Sequence, residues 1–422
     1  MYFKFSNKFF IILIILSLIY SFIYFPASYS EDELYVWSPQ ESTINTSSPI
    51  VQEPKEDNFL SLQSESAILI EQNSGQILYS HHIHEKLKPA SVTKVMSILL
   101  IMESVDSGFL KLSDQVPCSL NAASMGGSQI WLDPRESLTV EDMLKAICVN
   151  SANDCVVAMA EKIAGSEEAF VELMNNKAKK LGMTDTNFKN CHGLDEEGHE
   201  TSAYDISVMS RELLINHPSI TKYTTIWTDS LRNGKSQLSN TNKLIKNYPG
   251  ATGLKTGSTS LALYNLSASA TRNNLSLIAV VMKAPTTKIR FEEAKKLLDY
   301  GFNTFEYKSF FNKNDIFRKI KVEKGTQDSI DIVFKNSASA LIKKGTDKDL
   351  EVKIELPESI KAPLHKEQQI GLYNIYEKDT LISSTPLIIS EQINQTSYIS
   401  LLRNLIFKSI NFLHIDLIKR TH

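Results

Sequence analysis

The stretch Val95-Met96-Ser97-Ile98-Leu99-Leu100-Ile101-Met102 constrains this chain more than any other. As a helix it would be apolar on nearly every side. Such a helix belongs at the centre of a domain, with other elements packed round it. Its head reads Pro89-Ala90-Ser91-Val92-Thr93-Lys94. Ser91 and Lys94 share a helical face, about 4.5 Å apart along the axis. An amine there can take the hydroxyl proton, which makes the pair a candidate activated nucleophile. The spacing alone is a weak signal, expected about once or twice by chance in a chain this long. A second copy, Ser219-Ile220-Thr221-Lys222, does occur. It follows Pro218 and reads as a surface helix start.

The rest of the chain supplies what could surround that helix. Ala67-Ile68-Leu69-Ile70, a turn at Asn73-Ser74-Gly75 and Ile77-Leu78-Tyr79 read as a hairpin. A helical region is expected from Val140 to about Gly182, with Thr139 and Asp142 bracketing its start. Another helix fits Tyr204 to Asn216. Tyr264–Ala270 and Leu275–Met282 read as strands joined at Asn273-Asn274. A buried helix against a sheet with strands from both ends of the domain fits this order. From about 311 to 392, short alternating runs such as Leu350-Glu351-Val352-Lys353-Ile354 predict a small, mostly β second domain.

The termini differ from both. Lys4 and Lys8 precede an apolar run from Phe9 to Phe25, and small residues lead to Ser30 before Glu31-Asp32-Glu33. A cleaved signal peptide over 1–30 is the favoured expectation, with an uncleaved anchor as the other reading. Either places the remainder outside the cytoplasm. Residues 31–63 are polar and read as a flexible spacer. At the other end Ile399, Leu402, Ile406, Ile410, Leu413 and Leu417 recur at steps of three and four, with Arg403, Lys408, Lys419 and Arg420 adding positive charge. This 394–422 segment is expected to lie on a membrane surface. Docking on its own protein or an oligomer contact is the other reading.

Bulk properties narrow the function. The 422 residues carry 45 Lys and Arg against 48 Asp and Glu, a net charge of -3, which offers no basic excess for nucleic acid. The four cysteines, Cys118, Cys148, Cys155 and Cys191, are too few for a disulfide framework. Cys148 and Cys155 could not pair across an intact helix. No Cys/His spacing matches a zinc site.

Two more motifs follow the first in order: Ser151-Ala152-Asn153, and Lys255-Thr256-Gly257 before the strands. Each is weak alone. S-x-x-K, S-x-N and K-T-G in this order, in an exported chain, form the combination of penicillin-binding proteins and serine β-lactamases. The chain resembles more closely a low-molecular-mass penicillin-binding protein, a serine-type D-alanyl-D-alanine carboxypeptidase. Ser151-Ala152-Asn153-Asp154, Cys191-His192-Gly193-Leu194-Asp195, Gly253-Leu254-Lys255-Thr256-Gly257 and Arg290-Phe291-Glu292-Glu293-Ala294 carry that likeness with the first motif. Ala362-Pro363-Leu364-His365-Lys366 extends it into the second domain.

The resemblance implies an α/β architecture. A β-lactamase/transpeptidase-like domain over 64–308 would have an antiparallel sheet covered by helices plus a helical subdomain. A small all-β domain would follow over 309–393. The implied substrate is the peptidoglycan stem peptide, with β-lactam antibiotics as acylating inhibitors. The outer face of the cytoplasmic membrane would be contacted through the C-terminal helix, and no metal or cofactor is implied.

Roles follow for single residues. Ser91 would attack the carbonyl and Lys94 would act as base, its pKa lowered by burial beside Lys255. Ser151 would relay a proton to the leaving nitrogen, and Asn153 would orient the substrate amide or Lys94. Lys255 and Thr256 would take the terminal carboxylate. The N–H groups of Ser91 and Ser258 would form the oxyanion hole. Gly257 would let the strand approach the ligand, and Arg290 would help hold the carboxylate.

Two departures stand out. Ala262-Leu263 replaces the family's Ala-Gly, and Pro134-Arg135 replaces a Pro-Gly turn. Three rival readings remain. A β-lactamase would need a deacylating carboxylate, which Glu212-Leu213-Leu214-Ile215-Asn216 mimics in form. A transpeptidase or endopeptidase would use the same motifs. A non-catalytic binding module would be expected to have a broken set, and here all three motifs are intact.

Overall fold

Ile68 and Ile70 point to one face of their strand, and Ala67 and Leu69 to the other, yet all four are buried. A strand apolar on both faces must be covered on both. The computed structural model, which describes residues 58–397, shows how. Strand β1 (Ser66–Glu71) pairs antiparallel with β2 (Ile77–His81). The chain then makes a single 3-10 turn (Ala90–Thr93) and enters α1 (Lys94–Asp106). Helices α2 (Asn153–Ala164), α3 (Glu167–Lys180) and α4 (Ala203–Asn216) follow. A hairpin of β3 (Thr228–Leu231) and β4 (Ser236–Ser239) leads to β5 (Ala251–Thr259), β6 (Leu263–Arg272), β7 (Leu275–Ala284) and α5 (Thr287–Thr304).

The main sheet has the order β2-β1-β7-β6-β5, so strands from both ends of this unit meet at β1 and β7. Ile68, Ile278 and Val280 pack with the helical core that contains Val95, Leu99 and Met209. Leu69, Leu277 and Val281 pack on the other face with Leu297 and Leu298 of α5. Helix α1 is therefore buried from Lys94 to Met102, as its all-round apolar surface requires. Truncating Leu99, which has no exposed surface, would cost about 2–5 kcal/mol. Between β6 and β7, Asn273 and Asn274 both adopt positive φ, the geometry of a tight two-residue hairpin turn.

Three expectations change. The helical region expected from Val140 to Gly182 is broken. A π-turn over Ala146–Asn150 ends at Ser151, whose φ of 63° is left-handed, and α2 starts only at Asn153. The apolar run Ile147-Cys148-Val149 hides this break, because it is buried whichever way the backbone turns. All four cysteines are buried and free. The expected spacer ends earlier than Gln63. Leu62 is buried, the rings of Tyr79 and Tyr300 flank Phe59, and Glu293 accepts the N–H groups of Gln63 and Ser64. Leu341–Lys348 groups with the first unit, since Leu341 joins the core under α5.

The second unit contains β8 (Ile316–Glu323), β9 (Ser329–Phe334), β10 (Leu350–Glu355), β11 (Ser359–Lys361), β12 (Gln369–Glu377) and β13 (Thr380–Ile389). They form one sheet in the order β10-β12-β13-β9-β8-β11. Phe311, Phe317, Phe334 and Tyr373 form an aromatic cluster in this unit. The signal-peptide and membrane-surface expectations lie outside the described residues. Among the described residues, no helix is long and apolar enough to cross a membrane.

Candidate active site

Ser91 lies in the 3-10 turn and Lys94 is the first residue of α1, so the turn delivers the hydroxyl to the amine. Lys94 Nζ is 2.9 Å from Ser91 Oγ, 2.6 Å from Asn153 Oδ1 and 2.7 Å from the His192 carbonyl. A neutral amine has two N–H donors and one lone pair. The amide and carbonyl oxygens can only accept, so they take the two donors. The lone pair is left for the Ser91 hydroxyl. Lys94 has no exposed surface, and its pKa falls well below the usual lysine value. Burial is the larger cause and the Lys255 ammonium the second.

Asn153 ties three pieces together. Besides Lys94, its backbone N–H donates to the Ser128 carbonyl and its Nδ2 to the Gly126 carbonyl. Its placement depends on the left-handed Ser151, which turns the chain so that α2 starts with Asn153 facing Lys94. Ser151 is buried and stands two residues before Asn153.

Lys255 reaches the site from β5, at the sheet edge. It is 1% exposed and donates to the Thr256 carbonyl. Burial first, and Arg290 after it, hold its pKa down to about 7. Thr256 Oγ1 donates to Thr241 Oγ1 at 2.7 Å. Gly257 faces the nucleophile's turn. A Cβ there would lie 2.7 Å from the Pro89 carbonyl and 2.9 Å from the N–H nitrogens of Ser91 and Val92. The glycine thus lets β5 lie against the turn that carries the nucleophile, a closer constraint than the ligand approach expected from sequence. The next residue, Ser258, is exposed.

The resemblance implied that Arg290 would help hold the carboxylate. Arg290 is 6% exposed, and its Nη1 donates to the carbonyls of Gly257 and Asn265. These contacts hold β5 and β6 from behind and make Arg290 a positioning residue for the strand. Its Nε is buried without a partner.

The sequence did not reveal the parts played by His192, Thr241 and Asp154. His192 contributes its carbonyl, and burial with nearby Lys94 lowers its ring pKa to about 3, so the imidazole stays neutral. Gly193 lets this loop pack on the turn. Its φ is 90°, and a Cβ would lie 1.9 Å from the Ala90 carbonyl. The glycine was the one available signal. Asp154 accepts the N–H groups of Ile130 and Leu132. Glu212, the carboxylate of the lactamase-like stretch, is bound by Lys177. Ser219 and Lys222, the second copy of the motif, are both exposed.

A serine hydroxyl beside a lysine held toward neutrality defines a serine acyl-transfer enzyme that needs no imidazole. The profile of the D-alanyl-D-alanine carboxypeptidase family matches residues 50–286, and that of the penicillin-binding protein 5 C-terminal domain matches residues 305–395. D-alanyl-D-alanine carboxypeptidase DacF of Bacillus subtilis (strain 168) is 45% identical over 356 residues, 83% of this chain and 91% of the relative. The carboxypeptidase DacC of Escherichia coli (strain K12) is 33% identical over 346 residues, 80% of this chain and 86% of its own.

Among solved structures, penicillin-binding protein 5 from Haemophilus influenzae superposes with a TM-score of 0.69 at 30% identity, covering 79% of this chain and 98% of its own. Penicillin-binding protein D2 from Listeria monocytogenes, in its ampicillin-bound form, has a TM-score of 0.53 at 29% identity, covering 58% and 99%. The chain belongs to the serine-type D-alanyl-D-alanine carboxypeptidase family, with the catalytic domain followed by the family's C-terminal β domain.

Proposed function

We propose that this site removes the terminal D-alanine from peptidoglycan stem peptides through an acyl-enzyme. The three partners of buried Lys94 carry this reading. Lys94 takes the Ser91 proton as Oγ bonds to the penultimate D-alanine carbonyl carbon. Charge develops on the carbonyl oxygen next to the backbone N–H groups of Ser91 and Ser258. The proton passes through Ser151 to the leaving nitrogen as the C–N bond breaks, and D-alanine departs. Water then adds to the ester carbonyl as Lys94 takes its proton, and Lys94 returns that proton to Ser91 Oγ as the acyl C–Oγ bond breaks. Lys255 in its charged form and Thr256 take the terminal carboxylate. Edge strand β5 offers main-chain groups for the peptide to pair with. A β-lactam amide would be attacked in the same way and leave Ser91 acylated.

The test is incubation of the protein with a pentapeptide ending in D-Ala-D-Ala. D-alanine release is expected from the wild type and a loss of about 10⁴-fold or more from Ser91→Ala. Equal release by the variant would end this assignment.

We also place the enzyme outside the cytoplasm, at the membrane surface. The basic and then apolar start of the chain and the amphipathic 394–422 segment support that placement. Truncation after Gln392 should release the protein from anionic vesicles, and unchanged binding would remove the tail from the account.

A further inference from the structure

A cleft of about 470 Å³ opens beside the catalytic residues and is assigned to nothing above. Its size falls within the range of ligand sites. Ser128, Gln129 and Trp131 line it from one segment, Lys235 and Gln237 of the β3–β4 hairpin from another, and Thr241 completes the lining. Two bonds join the cleft to the catalytic centre. Thr241 accepts the hydroxyl of Thr256, and the Ser128 carbonyl accepts the N–H of Asn153.

The first segment is held in place on both sides of an exposed tryptophan. Trp131 is 76% exposed, and its φ of 53° lies in the left-handed region that side chains with a Cβ disfavour. The fully buried carboxylate of Asp154 accepts the N–H groups of Ile130 and Leu132. Arg232 donates to the carbonyls of Ile130 and Trp131. An indole kept in water by a strained backbone with this much support is a feature to read for function.

The second segment carries the charge. Lys235 is exposed, and among the described residues no carboxylate pairs with it. The cleft is lined by this one cation, by amides and hydroxyls and by an indole, with no acidic side chain. Such a lining suits a peptide that bears a carboxylate and disfavours a cationic one.

We propose that this cleft is an accessory subsite for the stem peptide, in which Lys235 binds an internal carboxylate and Trp131 covers the adjoining aliphatic part. The subsite rests on the peptidase reading, and its test separates the two. Three substrates are compared on the full chain: a short N-acyl-D-Ala-D-Ala, a stem pentapeptide with free internal carboxylates, and the same pentapeptide with those carboxylates amidated.

The wild type should favour the free pentapeptide over the amidated one by about fivefold in kcat/KM, through KM. Lys235→Gln should erase that preference, and Lys235→Glu should reverse it. Trp131→Ala should raise KM for both pentapeptides and leave the short substrate's KM unchanged. Release from all three substrates with no carboxylate preference, or a preference that survives in Lys235→Gln, overturns the subsite alone. Release from none of them overturns the peptidase reading and the subsite with it.

Discussion

Ser91–Lys94 and Ser219–Lys222 share a spacing and a helical start, and they differ in everything around them. Lys94 is fully buried and meets a hydroxyl, an amide oxygen and a carbonyl. Lys222 is exposed, with its ammonium 5.9 Å from the centre of the Tyr223 ring. The first lysine has lost its water and gained a second cation nearby. The second retains its solvent. The motif fixes only that two groups share a face. Burial, a neighbouring ammonium and two acceptors turn one pair into a nucleophile and base.

The largest expected effect tests that contrast directly. Lys94→Gln should lower D-alanine release by about 10³-fold, because it removes the general base. Lys222→Gln should leave release unchanged. A comparable loss in both variants, measured as kcat/KM, would break the comparison.

A smaller effect leaves both lysines in place and concerns the end of the edge strand. Leu263 opposes Thr259 across β5 and β6 and adopts a φ of 51°. This is the position where the family resemblance leads one to expect glycine, and a left-handed leucine carries a penalty of about 1–2 kcal/mol. Relief of that strain offsets the lost packing and the added chain entropy in Leu263→Gly. Stability by denaturant unfolding should therefore be unchanged or higher by up to about 1 kcal/mol. A loss larger than that would mean the half-buried side chain contributes more than its backbone strain costs.

Much of this was legible in the sequence. An all-round apolar helix predicts its own burial. Doubly apolar strands at Ala67–Ile70 and Leu275–Met282 predict a sheet covered on both faces. The first two motifs predict that Lys94 meets Ser91 and Asn153. What stayed hidden were contacts made through backbone atoms or through special φ values. Ile147-Cys148-Val149 reads as continuing helix, although Ser151 turns left-handed and α2 begins afresh at Asn153. The His192 carbonyl that holds Lys94 has no side-chain signature. Arg290 was linked to the carboxylate by the resemblance alone, and nothing in the sequence signalled that its Nη1 meets the carbonyls of Gly257 and Asn265. Burial and Lys255 were both expected to lower the Lys94 pKa, and the structure ranks burial as the larger cause.

That ranking leads to the most direct test. The second-order rate of Ser91 acylation by a β-lactam, measured across pH, reports the groups of the free enzyme. A lysine is charged below its pKa and neutral above it. The rate should therefore rise with pH as Lys94 loses its proton, with a midpoint well below 10.5. It should fall as pH passes about 7, where Lys255 loses the charge that holds the ligand's carboxylate. In Lys255→Gln the falling limb should vanish. The rising limb should move to higher pH, since a repelling ammonium is gone, yet stay below 10.5, since burial remains. A rising limb at the ordinary lysine value, or one that Lys255→Gln leaves unmoved, would contradict the account.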